Sequence, residues 1–153
     1  MEQDGREKAL QTAANVLEYR QRSARALYER LLEKGCAEED AAWAVARLKE
    51  LGYLNDGEYA RMLVRDLSAR GFGAGRIRMA LREKKLEPED AEAAMETYVT
   101  DEDRLTALTV SRLKGKTDRQ SLQRAANALF RKGYSWEEIR AALRRAGASA
   151  DEE

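Results

Sequence analysis

Leu31-Leu32-Glu33-Lys34-Gly35-Cys36 returns as Leu81-Arg82-Glu83-Lys84-Lys85-Leu86 and again as Leu129-Phe130-Arg131-Lys132-Gly133-Tyr134. Each copy stands where a helical pattern ends. Each is followed by an acidic start to the next helix: Glu38-Glu39-Asp40, Glu89-Asp90 and Glu137-Glu138. The copies begin 50 and then 48 residues apart. That spacing marks an array of one helical unit, and such arrays mostly bind other macromolecules along a surface.

Outward from these copies, apolar residues at i, i+3, i+4 and i+7 place nine helices. They fall near 5–20, 23–34 and 37–51, then 56–69, 74–85 and 88–98, then 101–114, 118–132 and 135–146. Ala41, Ala44, Val45, Leu48 and Leu51 form one such stripe; Tyr59, Met62, Leu63 and Leu67 form another; Trp136, Ile139 and Leu143 mark the last helix. The expected fold is all-α, an elongated array of three tandem three-helix repeats over 1–54, 55–99 and 100–147, with a disordered tail at 148–153.

Boundary residues agree with this division. Asn55 with Glu58, Thr100 with Asp103, and Ser135 with Glu138 have capping-box spacing. Pro88, the only proline, suits the first turn of a helix, where its missing N–H costs little. Gly35, Gly52, Gly71 and Gly133 follow helix ends, each with an apolar residue next: Cys36, Tyr53, Phe72 and Tyr134. The aromatic ones can be base-stacking platforms, while Cys36 reads as a small core residue. The plainer reading, a hydrophobic contact folded back on a glycine-capped helix, is preferred. Trp43 and Trp136 read as packing residues. The middle copy carries Lys85 in place of glycine and is expected to end its helix differently.

Chemistry is sparse. The 153 residues include no histidine and one cysteine, Cys36, which removes the commonest general base, a cysteine zinc site and an intrachain disulfide. Gly71-Phe72-Gly73-Ala74-Gly75-Arg76 lacks the lysine and hydroxyl of a P-loop and reads as a turn. No enzyme activity, cofactor or metal is expected. Met1–Arg6 lacks a signal-peptide layout, no apolar run reaches membrane-spanning length, and a cytoplasmic location is expected.

Net charge is zero, yet charge is segregated. Glu87 to Asp103 holds eight acidic residues and no basic ones, whereas Arg104 to Lys132 holds eight basic residues against Asp118 alone. Arg70 to Lys85 adds six basic residues against Glu83. Such blocks can contact phosphates or acidic protein surfaces, or can pair with one another across units.

Three stretches then carry a resemblance. Tyr19-Arg20-Gln21-Arg22-Ser23-Ala24-Arg25-Ala26-Leu27, with Lys34-Gly35 after it, contains R-x-R-S. Leu51-Gly52-Tyr53-Leu54-Asn55-Asp56-Gly57-Glu58-Tyr59-Ala60 fits G-Y-[LI]-[ND]-D-x-x-[FY]-[AV]. Arg70-Gly71-Phe72-Gly73-Ala74-Gly75-Arg76-Ile77 fits G-x-G-x-x-[RK]-I. In this order they resemble the bacterial regulatory protein family RecX, over about residues 7–147. Ala74 departs from the proline of many members, and Lys84-Lys85 from their Lys-Gly.

The resemblance implies tandem three-helix repeats and no catalysis. It implies a regulator that binds the recombinase RecA on single-stranded DNA, lies in the filament groove, and restrains filament growth, ATPase and strand exchange. The expected contacts are basic residues outside the apolar stripes: Arg20, Arg22 and Arg25; Arg70, Arg76, Arg78 and Arg82; and Lys114, Lys116, Arg119 and Arg124. Their partners would be RecA carboxylates or DNA phosphate, single- or double-stranded, with the protein a monomer and no membrane involved. The alternative is a stand-alone DNA-binding module in which the helix pair around Gly71–Lys85 works as a helix-turn-helix.

Overall fold

The computed structural model describes the backbone of residues 2–152 and the side chains of 4–147. Among these residues there are nine helices and no strand: α1 Glu2–Tyr19, α2 Ala24–Glu33, α3 Glu38–Glu50, α4 Asp56–Ala69, α5 Ala74–Glu83, α6 Pro88–Met95, α7 Glu102–Leu113, α8 Arg119–Arg131 and α9 Trp136–Glu152. No helix among the described residues is long and apolar enough to cross a membrane. The tail expected at 148–153 lies outside the residues whose side chains are described, and α9 carries the backbone to Glu152.

The chain packs as two compact units, 1–62 with 81–94, and 63–80 with 95–153. The middle repeat is therefore shared, its α4 and α5 each divided between the units. In the first unit, Ala9, Ala13 and Val16 of α1 meet Leu27 and Leu31 of α2 and Ala41, Ala44 and Leu48 of α3. The alanines let the helices approach closely, and the leucines fill the space between. In the second unit, Leu105, Ala126, Leu129, Tyr134, Ile139 and Ala142 form one core, and Leu113, Ala125 and Ala146 a smaller one. Three stripe residues are exposed rather than buried: Leu51, Met62 and Trp136 are 47%, 40% and 42% exposed. Each lies at the edge of its helix's apolar face, where periodicity cannot tell a core position from its rim.

The recurring segment does one job in all three copies. Cys36 N–H donates to Leu31 O, Leu86 N–H to Leu81 O, and Tyr134 N–H to Leu129 O, closing each helix through a left-handed residue. That residue is Gly35 (φ 94°), Lys85 (φ 59°) or Gly133 (φ 104°). The expectation of a different ending at Lys85 is thus corrected: the lysine takes the glycine conformation. A second correction concerns α7. Its cap is Asp101, which accepts from Arg104 N–H at 3.0 Å, while Thr100 Oγ1 donates to Glu138 Oε2 at 2.6 Å. Ser135 and Glu138 form the reciprocal box at α9, and Asn55 Oδ1 accepts from Glu58 N–H.

The four post-glycine residues differ from one another. Tyr134 is buried, Cys36 and Phe72 are half-buried, and Tyr53 is 71% exposed. Folding back on the helix describes Tyr134 but not the Tyr53 ring.

Candidate functional site

In the first unit α1 stops at Tyr19 and α2 starts after Ser23. Ser23 is fully buried, and its Oγ accepts from Ala26 N–H at 3.1 Å. Ala24 N–H donates to Asp56 Oδ1 at 2.9 Å. Two amide groups at the start of α2 are thus satisfied by fixed side chains, and the connector Arg20-Gln21-Arg22 is held against the helix end.

Arg20, Arg22, Arg30, Lys84 and Lys85 converge on a depression of about 230 Å³ there. Arg22, Arg30 and Lys34 also line a second depression, with Thr12, Asn15 and Tyr19. Three carboxylates, Glu29, Glu33 and Glu83, share the first depression. Glu29 pairs with Lys85 and with Arg25, and Glu33 pairs with Arg30 at 2.9 Å. The Lys85 and Arg25 contacts hold Glu29 below its ordinary pKa, so it is ionised at neutral pH.

Arg22 is the least satisfied member. Its Nε is out of contact with solvent and has no hydrogen-bond partner. Burial first, then Arg20 and Arg30, press its guanidinium below the usual arginine pKa. It stays charged, because an arginine side chain does not lose its proton in a protein. A cluster in which cations outnumber carboxylates gains by binding an anion, and guanidinium groups match phosphate and carboxylate oxygens two at a time.

The second unit holds another basic cluster. Phe72 follows α4, with Arg70 Cζ 5.5 Å and Lys132 Nζ 4.8 Å from its ring centroid. Cations at that distance are attracted by the ring face. Arg104 Nη1 donates to Ser68 O at 3.3 Å, and Tyr134 Oη to Gly71 O at 2.7 Å. Burial, the larger effect, and the negative field of neighbouring groups push the Tyr134 phenol up to about 12. Arg65, Phe72, Arg104 and Tyr134 line a depression of about 380 Å³ with Asp101 on its wall.

Models of the RecX three-helix domains match this chain in order: the first over residues 9–48, the second over 55–95 and the third over 110–143. The chain belongs to the RecX family. It is 34% identical over 138 residues to Regulatory protein RecX of Stenotrophomonas maltophilia (strain R551-3), covering 88% of this chain and 85% of that one. It is 31% identical over 138 residues to Regulatory protein RecX of Xanthomonas axonopodis pv. citri (strain 306), with the same coverage. The crystal structure of RecX from Lactobacillus salivarius matches with a TM-score of 0.83 at 22% identity, over 95% of this chain and 98% of that chain, and so shares its fold. The chain is thus a regulatory protein of the RecX family, built of three-helix domains in tandem.

The RecX-like motifs place their residues unequally. Arg20 and Arg22 of R-x-R-S enter the first cluster, whereas Arg25 is turned to Glu29 at its edge. Arg70 joins Phe72 in the second cluster and lies 3.7 Å from Asp66. Arg76 donates from Nη1 to Met79 Sδ at 3.2 Å. Arg78 and Arg82 are exposed on α5, and neither lines the two basic depressions. Lys114 caps α7, Lys116 follows in the turn, and Arg119 and Arg124 are exposed on α8.

Sequence reasoning missed Arg30, Lys84 and Lys85 in the first cluster, Lys34 in the depression beside it, and Arg104 and Lys132 in the second cluster. Lys84 and Lys85 reach Arg20 and Arg22 across more than 60 positions of sequence, and no local pattern announces that. Arg30 had a signal: its place on α2 lies two turns beyond the R-x-R-S stretch.

Proposed function

We propose that this protein is a non-enzymatic regulator that binds RecA filaments on single-stranded DNA and inhibits filament growth, ATPase and strand exchange. Family membership supports the regulatory role. The single structural observation that carries the binding reading is the cluster of Arg20, Arg22, Arg30, Lys84 and Lys85 about one depression, with Arg22 Nε unpartnered. Its ligand on the filament is a carboxylate or a DNA phosphate. The basic cluster about Phe72 offers a second contact of the same chemistry.

The helix-turn-helix alternative is less well supported. Such a module presents the first turn of its second helix to a DNA groove. Here the entry to α5 is engaged within the second unit: Gly73 N–H donates to Lys132 O at 2.8 Å and Gly75 N–H to Gly133 O at 2.9 Å.

The test is RecA ATPase on single-stranded DNA. A stoichiometric excess of this protein should depress the rate. Arg20→Ala with Arg22→Ala should raise the concentration needed by at least about 100-fold, since each of the two charged hydrogen bonds contributes roughly 1.5–3 kcal/mol. An unchanged rate with the wild-type protein would sink the reading. Unchanged inhibition by the folded double variant would remove the cluster from it.

A further inference from the structure

The outer face of α8 and the start of α9 hold a feature that the basic clusters do not use. Phe130, in the last turn of α8, stacks on Trp136, the first residue of α9, with ring centroids 4.6 Å apart and planes 12° from parallel. The rings remain 50% and 42% exposed. A pair placed only for packing would be drawn into the core, where a large side chain gains most from leaving water. Ile139 and Leu129 take those positions instead, both fully buried.

The surroundings are polar and mainly positive, with one exposed acid, Glu137, next to Trp136 on α9. Gln123, Arg124, Asn127 and Arg131 are exposed on α8, and Arg140, one turn beyond Trp136, is exposed on α9. The residues of α8 include no acid. The acid before it, Asp118, is occupied as the cap: its oxygens accept from Ser121 N–H at 3.2 Å and Ser121 Oγ at 2.6 Å. Arg124 and Arg131 lie two turns apart on one side of the helix, about 10 Å along its axis.

Side-chain amides, arginines and an open aromatic stack together suit one class of ligand. An apolar protein partner favours a continuous apolar patch. Here the rings stand among cations and amides, with the single exposed carboxylate of Glu137 beside Trp136. Single-stranded nucleic acid offers base faces to the rings and phosphates to the arginines, whereas a duplex keeps its base faces stacked inside.

We propose that this face binds single-stranded nucleic acid directly, with bases stacking on Phe130–Trp136 and phosphates meeting Arg124, Arg131 and Arg140. It deepens the filament reading by assigning a strand contact to the third repeat, yet the contact forms without RecA.

The test uses the full chain with Trp43→Phe, which leaves Trp136 as the sole tryptophan of the two. A short oligothymidylate is titrated while tryptophan emission is followed, with a duplex of equal length as control. Quenching by the single strand is expected, with weaker binding and little quenching by the duplex. In the otherwise wild-type chain, followed by anisotropy of a labelled oligothymidylate, Phe130→Leu keeps apolar bulk without the ring and should weaken binding about 10-fold. Arg124→Ala should lower the salt dependence by about 0.7 of a counterion. No quenching, or equal affinity for duplex and single strand, overturns the proposal. Loss of RecA inhibition in Phe130→Leu with unchanged oligothymidylate binding would assign the face to a protein contact and also overturn it. Failure in the absence of RecA leaves the ATPase test of the filament reading standing, so the two fail separately.

Discussion

Replacing Gly133 by alanine should damage the fold far more than replacing Gly35, although both occupy the same turn of the repeat. Both have left-handed backbone, with φ of 104° and 94°. An L-residue there costs about 1–2 kcal/mol. At Gly35 an added Cβ meets nothing within 4 Å, so that is the whole expected loss. At Gly133 the Cβ would lie 2.4 Å from Arg76 N, 2.6 Å from Arg76 Cβ and 2.8 Å from Gly73 O. These are atoms of α5 and its entry, and they cannot retreat without stretching the Gly73 N–H and Gly75 N–H bonds to Lys132 O and Gly133 O. At about 0.5–1.5 kcal/mol for each bond, Gly133→Ala should cost about 3–4 kcal/mol in all. Urea unfolding followed by circular dichroism measures both variants. Gly73→Ala meets the same contact from the other side, with Gly133 C at 2.6 Å, and should be similarly damaging. The double variant should then cost less than the sum of the two. If Gly133→Ala and Gly35→Ala agree within about 0.5 kcal/mol, the close approach of the two segments does not constrain the turn at Gly133.

Three further outcomes are expected. Tyr134→Phe loses the bond to Gly71 O and should cost about 1 kcal/mol at neutral pH. Because the folded phenol is raised from 10.0 to about 12, the native state binds more protons in that window. Wild-type stability should therefore fall by up to roughly 1.4 kcal/mol per pH unit between those values, and stability curves of Tyr134→Phe should lack that component. Asp56 is raised above its ordinary value, first by burial, against the opposing Ala24 N–H bond. Its contribution is therefore present at acid pH and is lost as pH climbs from 3.8 through the folded value. Asp56→Asn keeps an acceptor for Ala24 and should flatten this slope in acid-to-neutral melting curves; an unaltered slope would count against it. Lys85→Gly relieves left-handed strain and should melt higher than Lys85→Ala by about 1 kcal/mol equivalent, since both lose the Glu29 pair and only one keeps a Cβ. Equal melting temperatures would show that the turn is unstrained.

The helices were legible because periodicity, caps and post-helical glycines each report on local backbone. Pro88 opens α6, and Ser135 and Glu138 form the box before α9, as their spacing implies. Edge positions were not legible: Leu51, Met62 and Trp136 share the period of the buried stripe yet face water. Thr100 lost its expected capping place to Asp101, one residue on, because its hydroxyl is engaged by Glu138 from another helix. In the site, R-x-R-S pointed to Arg20 and Arg22. The lysines that complete their cluster, and the Arg104 and Lys132 that join Arg70 and Phe72, arrive through tertiary contacts that no local window contains.

The bonds that tie α2 to later sequence have a consequence for the order in which the chain is made. The start of α2 waits for Asp56, and Glu29 waits for Lys85. Translation adds residues at roughly 5–20 per second, so the arginines of the first repeat leave the ribosome seconds before the lysines that share their depression. A nascent chain that has exposed Arg20 and Arg22 does not yet hold the assembled basic cluster. Completion of the cluster is thus deferred until the middle repeat has been synthesised, and a chain cut between the first two repeats would carry the motif without it.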